Sequence, residues 1–364
     1  MQKDNLLSYF SGMKDPRIER TKLHHIDDIL FIAIASVLSG VETWNEMEDY
    51  GIMKKDWLET FLKLPHGIPS HDTFNRFFSA LDSDEFESRF LLWIKSIYVK
   101  TDGEILSIDG KAMRGSRKHG CKSATHIVSA WANENELILG QIKVNEKSNE
   151  ITAIPILLDS LLLKNCVVTI DAMGCQKKIA KKIVSKEAEY ILAVKENQKD
   201  LYADIEESFK LLKHTDSYEE IDYGHGRIET RKCFITTDFS LVESSKKWEG
   251  LASIVKIERE RVFKASGKQE NETSYYISSL AKAQSIANGI RKHWGIENKV
   301  HWVLDVAFNE DQSRKRAGNA AKNYTNLNRI AINILNKDGI KAGFKRKRKM
   351  AGWNNDYVLK VLKN

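Results

Sequence analysis

The 364-residue chain reads as an α/β protein: an all-helical amino-terminal part, then a sheet whose strands alternate with helices and which carries a β-rich insertion. Three observations predict this. Up to about residue 100 the apolar residues recur at helical spacing. From Glu104 onward they gather into short β runs, first three in succession and then strands separated by helical stretches. Between about residues 199 and 276 the chain is too long for a simple connection and again reads as strands.

Taken in order, residues 26–38 are strongly apolar and stop at Gly40. Residues 43–50 and 54–64 follow as shorter amphipathic helices. Residues 67–78 form a loop leading into a helix that Ser70 or Asp72 can cap. A turn into a polar-aromatic helix fits a helix-turn-helix and equally a plain helical bundle. Strands are expected at 104–109, 124–133 and 136–144, then a helix at 150–163. A strand at 166–171, a helix at 176–186 and a strand at 189–194 come next. That is the order of a ribonuclease-H-like fold, whose first and fourth strands are neighbours. The insertion holds a polar helix at 200–213 and β-like runs at 228–236, 251–259 and 274–279, with a last core strand at 275–279. A long helix at 281–305 carries Glu297. A further helix at 313–336 has Ala, Leu and Ile on one side and Arg314, Arg316, Lys322 and Arg329 among the rest.

Composition bounds the class. Hydrophobic residues at 42% and charged residues at 29% describe a folded globular chain rather than a disordered one. No stretch reaches the ~18 consecutive apolar residues of a membrane helix, and the amino terminus lacks a secretory pattern. Cys121, Cys166, Cys175 and Cys233 form no Cys-x-x-Cys pair, which argues against a disulfide framework or zinc ribbon. A reducing cytoplasm is the expected setting, with no membrane partner. The net charge of +7 is concentrated near the end, where Lys345-Arg-Lys-Arg-Lys349 suits either phosphate neutralisation or a solvated tail. The expected organisation is a helical part over 1–100, a catalytic domain over 101–336 and a basic tail over 337–364.

The chemistry lies in acidic residues. Asp109 follows Glu104-Ile-Leu-Ser-Ile, and Asp171 follows Cys166-Val-Val-Thr-Ile. A lone aspartate after a strand usually caps a turn. Two of them, each after an apolar run and each before a small residue (Gly110, Ala172), suggest a ligand site at the mouth of a sheet. Their spacing of 62 positions leaves room for two strands and a crossover helix. Glu297 sits in Arg291-Lys-His-Trp-Gly-Ile-Glu297-Asn-Lys-Val-His-Trp302, with His293 and Trp294 one turn before it and Val300 and His301 one turn after. That stripe is polar for core packing; a carboxylate paired to a nearby histidine is the structural alternative. Asp305, Glu310 and Asp311 are rivals for the third acid. Three carboxylates form an all-oxygen cage suited to Mg²⁺ or Mn²⁺, and two such ions are the usual device for in-line attack on a phosphodiester. Lys111, Arg114, Gln176, Lys177 and Lys178 could reach phosphates nearby. His119, Cys121 and His126 match no common zinc spacing.

Several motifs run in order along the chain: Asp27-Ile-Leu, Gly67-Ile-Pro-Ser-His-Asp-Thr-Phe74, Ile108-Asp-Gly-Lys111, Ile170-Asp-Ala-Met173, Val194-Lys-Glu-Asn-Gln198, His225-Gly-Arg-Ile-Glu229, His293-Trp-Gly-Ile-Glu-Asn298 and His301-Trp-Val-Leu-Asp305. Together, from about residue 5 to 336, the chain resembles the ISAs-type insertion-sequence transposases. That family includes the H-repeat-associated proteins and belongs to the DDE superfamily. The resemblance implies that Asp109, Asp171 and Glu297 are the catalytic triad and hold two Mg²⁺ or Mn²⁺ ions, bridged by Asp109. It implies cleavage of double-stranded DNA at the element's terminal repeats, strand transfer into target DNA, and a homodimer in the synaptic complex. Related DDE transposases carry Tyr-x2-Arg-x3-Glu-x6-Lys around the glutamate; here Ile290, His293 and Leu304 stand in place of Tyr, Arg and Lys. Lys111, Arg114, Lys195, Arg227, Arg291, His293, Arg314 and Arg316 are expected at the DNA, with Trp294 available to stack on an unpaired base. An inactive or domesticated DNA-binding derivative, or a nuclease without strand transfer, is the alternative.

Overall fold

A computed structural model describes residues 6–116, 125–144, 149–224 and 226–363. His119, Cys121 and His225 lie outside the described residues. The amino-terminal part is helical, as expected: α1 (Leu6–Phe10), α2 (Ile26–Leu38), α3 (Trp44–Met53), α4 (Lys55–Leu58), α5 (His71–Ala80) and α6 (Ser83–Ile97). Its starts follow from short polar side chains. Thr43 and Glu46 form a reciprocal capping box on α3. Ser70 rather than Asp72 caps α5, its Oγ accepting from Thr73 N–H. Helix α2 is apolar nearly all round and is buried from Asp28 to Leu38.

The chain then builds β1 (Ile105–Met113), β2 (Thr125–Ala132) and β3 (Leu137–Val144), followed by α7 (Glu150–Ser160), β4 (Val167–Ile170), α8 (Lys177–Ser185), β5 (Glu189–Val194) and α9 (Lys199–Leu211). Four long strands come next: β6 (Asp216–Gly224), β7 (Arg227–Thr236), β8 (Ser253–Phe263) and β9 (Gln269–Ser278). Among the described residues the strands form one mixed sheet in the order β3-β2-β1-β4-β5-β9-β8-β7-β6. The expected meeting of the first and fourth strands is there: β1 and β4 run parallel, with Ile108 opposite Ile170. The sequence reading lacked β6. Its residues, Asp-Ser-Tyr-Glu-Glu-Ile-Asp-Tyr-Gly, alternate without presenting an apolar face, so period two carries no burial signal. Pairing with β7 along its whole length supplies the order instead.

Helix α10 (Ala283–Ile296) runs into a π-turn at Glu297–His301 and then α11 (Trp302–Ala307). The expected single helix over 281–305 is therefore interrupted at Glu297, where the Trp302 N–H reaches back five residues to the Glu297 carbonyl. The next helix, α12 (Ala320–Lys337), starts seven residues later than expected. Gly318 accounts for this: its φ of +45° is outside the helical region, and a Cβ there would lie 2.3 Å from the Ser79 carbonyl oxygen. Arg314 and Arg316 accordingly stand in a loop.

Polar α12 residues cover the exposed edge of β3. Asn333 gives and takes a 2.9 Å bond with the Ile138 backbone, and Asn336 donates 2.9 Å to the Glu136 carbonyl. This blunts a strand edge that would otherwise pair with another chain. Arg329, expected on the polar side of that helix, is fully buried and 3.2 Å from the equally buried Glu310.

The segment expected as a basic tail is instead two helices, α13 (Phe344–Trp353) and α14 (Asn355–Lys363). A run of five consecutive cations, Lys345 to Lys349, hid this, because two of them point inward. Lys347 donates to the Leu335 carbonyl at 2.6 Å and to Asp338 at 2.7 Å. The Arg348 guanidinium bonds the carbonyls of Val37, Val41 and Ala307, tying the ends of α2 and α11 together. Lys345, Arg346 and Lys349 remain exposed. No helix among the described residues is long and apolar enough to cross a membrane.

Candidate active site

The site begins with two short sequences in matched register. Ser107 lies opposite Thr169 across β1 and β4, and two residues further on come Asp109 and Asp171. Side chains alternate along a strand, so each hydroxyl shares a face with the aspartate that follows it. Helix α10 covers that face. The Thr169 hydroxyl is 2.9 Å from His293 Nδ1, and Ser107 donates to the Lys292 carbonyl at 3.4 Å. The approach is close at Gly289, where a Cβ would stand 2.4 Å from Ile191 Cδ1. Small hydroxyls and a glycine thus set the helix down so that its next turn arrives beside the aspartates.

Asp109 is not at the end of its strand, as its sequence suggests. The β1 strand continues to Met113 alongside β2, while β4 stops at Ile170. Asp109 therefore faces the gap left by the departing neighbour, and its Oδ1 accepts from the Gly110 N–H at 2.8 Å. Asp171 caps the short turn at Ala172–Gly174. From above, the π-turn brings Glu297 and His301. His301 Nδ1 is 2.9 Å from Glu297 Oε2 and 3.4 Å from Asp109 Oδ2, and one ligand atom from each of the three residues falls within 4.8 Å of the others. A cleft of about 910 Å³ opens here, lined by Asp109, Asp171, Lys195, His293, Trp294 and Glu297 among others.

The charges are poised for a cation. Burial, working against the His301 imidazole, pushes the Asp109 carboxyl up to about 6, and nearby Asp171 and Glu297 add to the push. Burial and then Glu150 raise Asp171, while Lys195 draws it down. Glu297, 54% exposed, is held low by its bond to His301. His293 is pushed down to about 4 by burial, so it stays neutral above that value. Carboxylates that resist ionising until a positive charge arrives are what a divalent-cation site presents, and the residues fit such an ion.

The other expected residues are spread out. Lys111 is buried with its ammonium between Asp305 at 2.6 Å and Asp311 at 2.8 Å; those two rivals for the third acid face Lys111, and Glu310 faces Arg329. Arg114 is exposed, its Nε 3.6 Å from Asp311. Arg316 donates to the Gly115 carbonyl, and Arg314 is exposed in the same loop. Arg227 pairs with Glu229 at 3.2 Å. Arg291 grips Glu220 and Asp222 of β6 at 2.6 and 2.7 Å, beside a different pocket. Trp294 is half exposed, with the Arg259 guanidinium 5.9 Å from its ring centre.

Two neighbours were not singled out from sequence. His301 was named only as flanking Glu297; its four-residue spacing was the available signal. The pair His126–Glu150, 2.6 Å apart, crowds Gly110 so closely that a Cβ there would lie 2.1 Å from Glu150 Oε1. Nothing in the local sequence announces it.

Comparison with known proteins adds to this geometry. Residues 100–334 match a family model described as a transposase DDE domain, and residues 7–94 match one described as DDE_Tnp_1-associated. The chain is 44% identical over 374 residues to the candidate transposase YncI of Escherichia coli O157:H7, covering 100% of this chain and 95% of that protein. It is 39% identical over 373 residues to the H-repeat-associated candidate transposase YhhI of Escherichia coli strain K12, covering 100% of this chain and 98% of that one. A solved piggyBac transposase synaptic complex with hairpin DNA is a remote likeness, at 11% identity and a TM-score of 0.45 over 98% of this chain and 77% of that one.

Proposed function

The chain belongs to the DDE transposase family, and from that premise we propose that it cuts the ends of a mobile DNA element and joins them to target DNA, using divalent metal ions at Asp109, Asp171 and Glu297. One observation carries the reading: Asp109 on β1 and Asp171 just past the end of the parallel strand β4 line one cleft with Glu297, which the covering helix delivers. The order β3-β2-β1-β4-β5 supports taking the core as ribonuclease-H-like, with β6–β9 as its insertion. Bound Mg²⁺ or Mn²⁺, two in this reading, would supply Lewis-acid stabilisation of the attacking and leaving oxygens.

The chain's own residues do the rest. Asp109 is fixed by strand backbone and Asp171 by the turn it caps just past β4, so their oxygens need little reorganisation. Without an ion, the Glu297 carboxylate rests against His301 Nδ1. Lys195 lines the cleft beside Asp171 and is placed to meet a phosphate; Trp294 offers an exposed ring face at the same opening. Lys111, Arg114, Arg227, Arg291, His293, Arg314 and Arg316 remain proposals for the DNA contact; Lys111, Arg227 and Arg291 would first have to yield the carboxylates they hold. Cutting two ends together calls for at least a dimer.

The test is Asp109→Asn on a duplex carrying the element's terminal repeat. We expect Mg²⁺-dependent cleavage to be lost and end binding to be kept. Retained cleavage removes Asp109 from the mechanism.

A further inference from the structure

We propose that His301 is a protein ligand, through Nδ1, of an ion held between Asp109 and Glu297, and that this nitrogen biases the site toward transition ions such as Mn²⁺ over Mg²⁺. The inference rests on the metal-dependent reading above and names a ligand that reading does not include.

Three observations converge on His301. The imidazole is only 4% exposed, and all its close polar contacts are made at Nδ1. Its Nε2 is buried with no hydrogen-bond partner among the described residues, so the polar contacts found for the ring are those at Nδ1. The spacing is also that of a shared ion. Donors about 2.1 Å from one octahedral centre stand roughly 3.0 Å apart when adjacent. The observed separations, 2.9 Å to Glu297 and 3.4 Å to Asp109, bracket that value.

Local backbone explains how the three reach one point. Four residues separate Glu297 from His301, which places both on one side of a helix. The widened turn between them is a π-turn, a feature that concentrates at functional sites. His293 provides the contrast. It lies one turn earlier and lines the same cleft, yet its Nδ1 is engaged by the Thr169 hydroxyl at 2.9 Å. One imidazole positions the helix on the sheet; the other faces the acids.

The chemical consequence concerns selectivity. Carboxylates suit Mg²⁺ and Mn²⁺ alike, whereas an imidazole nitrogen favours transition ions. The same spacing would serve an imidazolium paired to both carboxylates, so the readout must detect the metal–nitrogen bond itself.

The experiment is pulsed electron paramagnetic resonance on the full chain loaded with Mn²⁺ alone, reading the ¹⁴N modulation of the manganese signal. We expect nitrogen coupling in the wild type and none in His301→Gln. By calorimetric titration, His301→Gln should lower Mn²⁺ affinity on the order of tenfold or more and Mg²⁺ affinity by less. Manganese that binds in the wild type, is lost in Asp109→Asn, and shows no nitrogen coupling overturns the role of His301 and leaves the proposed function standing. A wild-type chain that binds no manganese at all overturns both. The wild-type spectrum decides even if His301→Gln fails to fold.

Discussion

Replacing Asp109 by asparagine should make the metal-free protein more stable, although it removes an acid of the proposed catalytic centre. The ordinary carboxyl value for Asp109 is 3.8, and its surroundings push it up to about 6. Each pH unit corresponds to ~1.4 kcal/mol, so an ionised Asp109 costs the folded state up to about 3 kcal/mol at neutral pH. The sign follows from the raised value. Below 3.8 the acid is neutral in both states and the cost is absent; it grows as pH rises toward 6 and is constant beyond. Asparagine keeps an acceptor for the Gly110 N–H but loses the attraction of His301. A net gain of about 1–3 kcal/mol remains. The assay is chemical denaturation in the presence of a chelator at pH 7 and at pH 4. The gain should be full at the first and small at the second. Metal reverses the order: an ion at 100 times its Kd adds ~2.7 kcal/mol to the wild type and little to the variant. A variant less stable than wild type at pH 7 without metal, or a gain indifferent to acid, would refute the electrostatic account of the site.

Two further substitutions test the scaffold. Gly289→Ala gains ~1 kcal/mol of helix propensity but forces a Cβ to within 2.4 Å of the buried Ile191 Cδ1, and overpacking of this kind costs ~1–3 kcal/mol. A net loss of up to about 2 kcal/mol in a thermal melt is expected, with weaker Mn²⁺ binding as α10 lifts Glu297 away; unchanged metal affinity would show that helix seating does not set the site. Arg329→Met leaves Glu310 buried without its cation and should cost about 3–5 kcal/mol by urea titration, while the double change with Glu310→Leu should recover most of it. A double variant no better than the single one would show that packing, not charge, sustains that pair.

How much was legible follows from which interactions act locally. The two apolar runs ending in aspartate were readable because burial on both faces leaves a short continuous hydrophobic stretch. Their adjacency followed from strand order. Asp109 was misplaced within its strand because where β4 stops is a property of the neighbour. The strand β6 was invisible because its order comes from pairing and from Arg291 gripping Glu220 and Asp222, not from an apolar face. The loop at 313–319 hid behind helix-compatible composition; only Gly318, read against Ser79, ends it. Of the expected DNA-contacting cations, Lys111 and Arg291 meet acids far away in sequence, and charge alone cannot reveal such partners; Arg227 meets Glu229 two residues on in its own strand.

The guanidinium of Arg348 carries a lesson for gene copies that accumulate damage. It lies 51 positions beyond Glu297, yet it ties the exit of α2 to the close of the segment that bears that glutamate. A frameshift between the codons for Asp311 and Arg348 would leave Asp109, Asp171 and Glu297 intact in translation and remove the clasp that joins α2 to the helix bearing that glutamate. Whether such a copy is still competent is therefore written in α13 as much as in its acids.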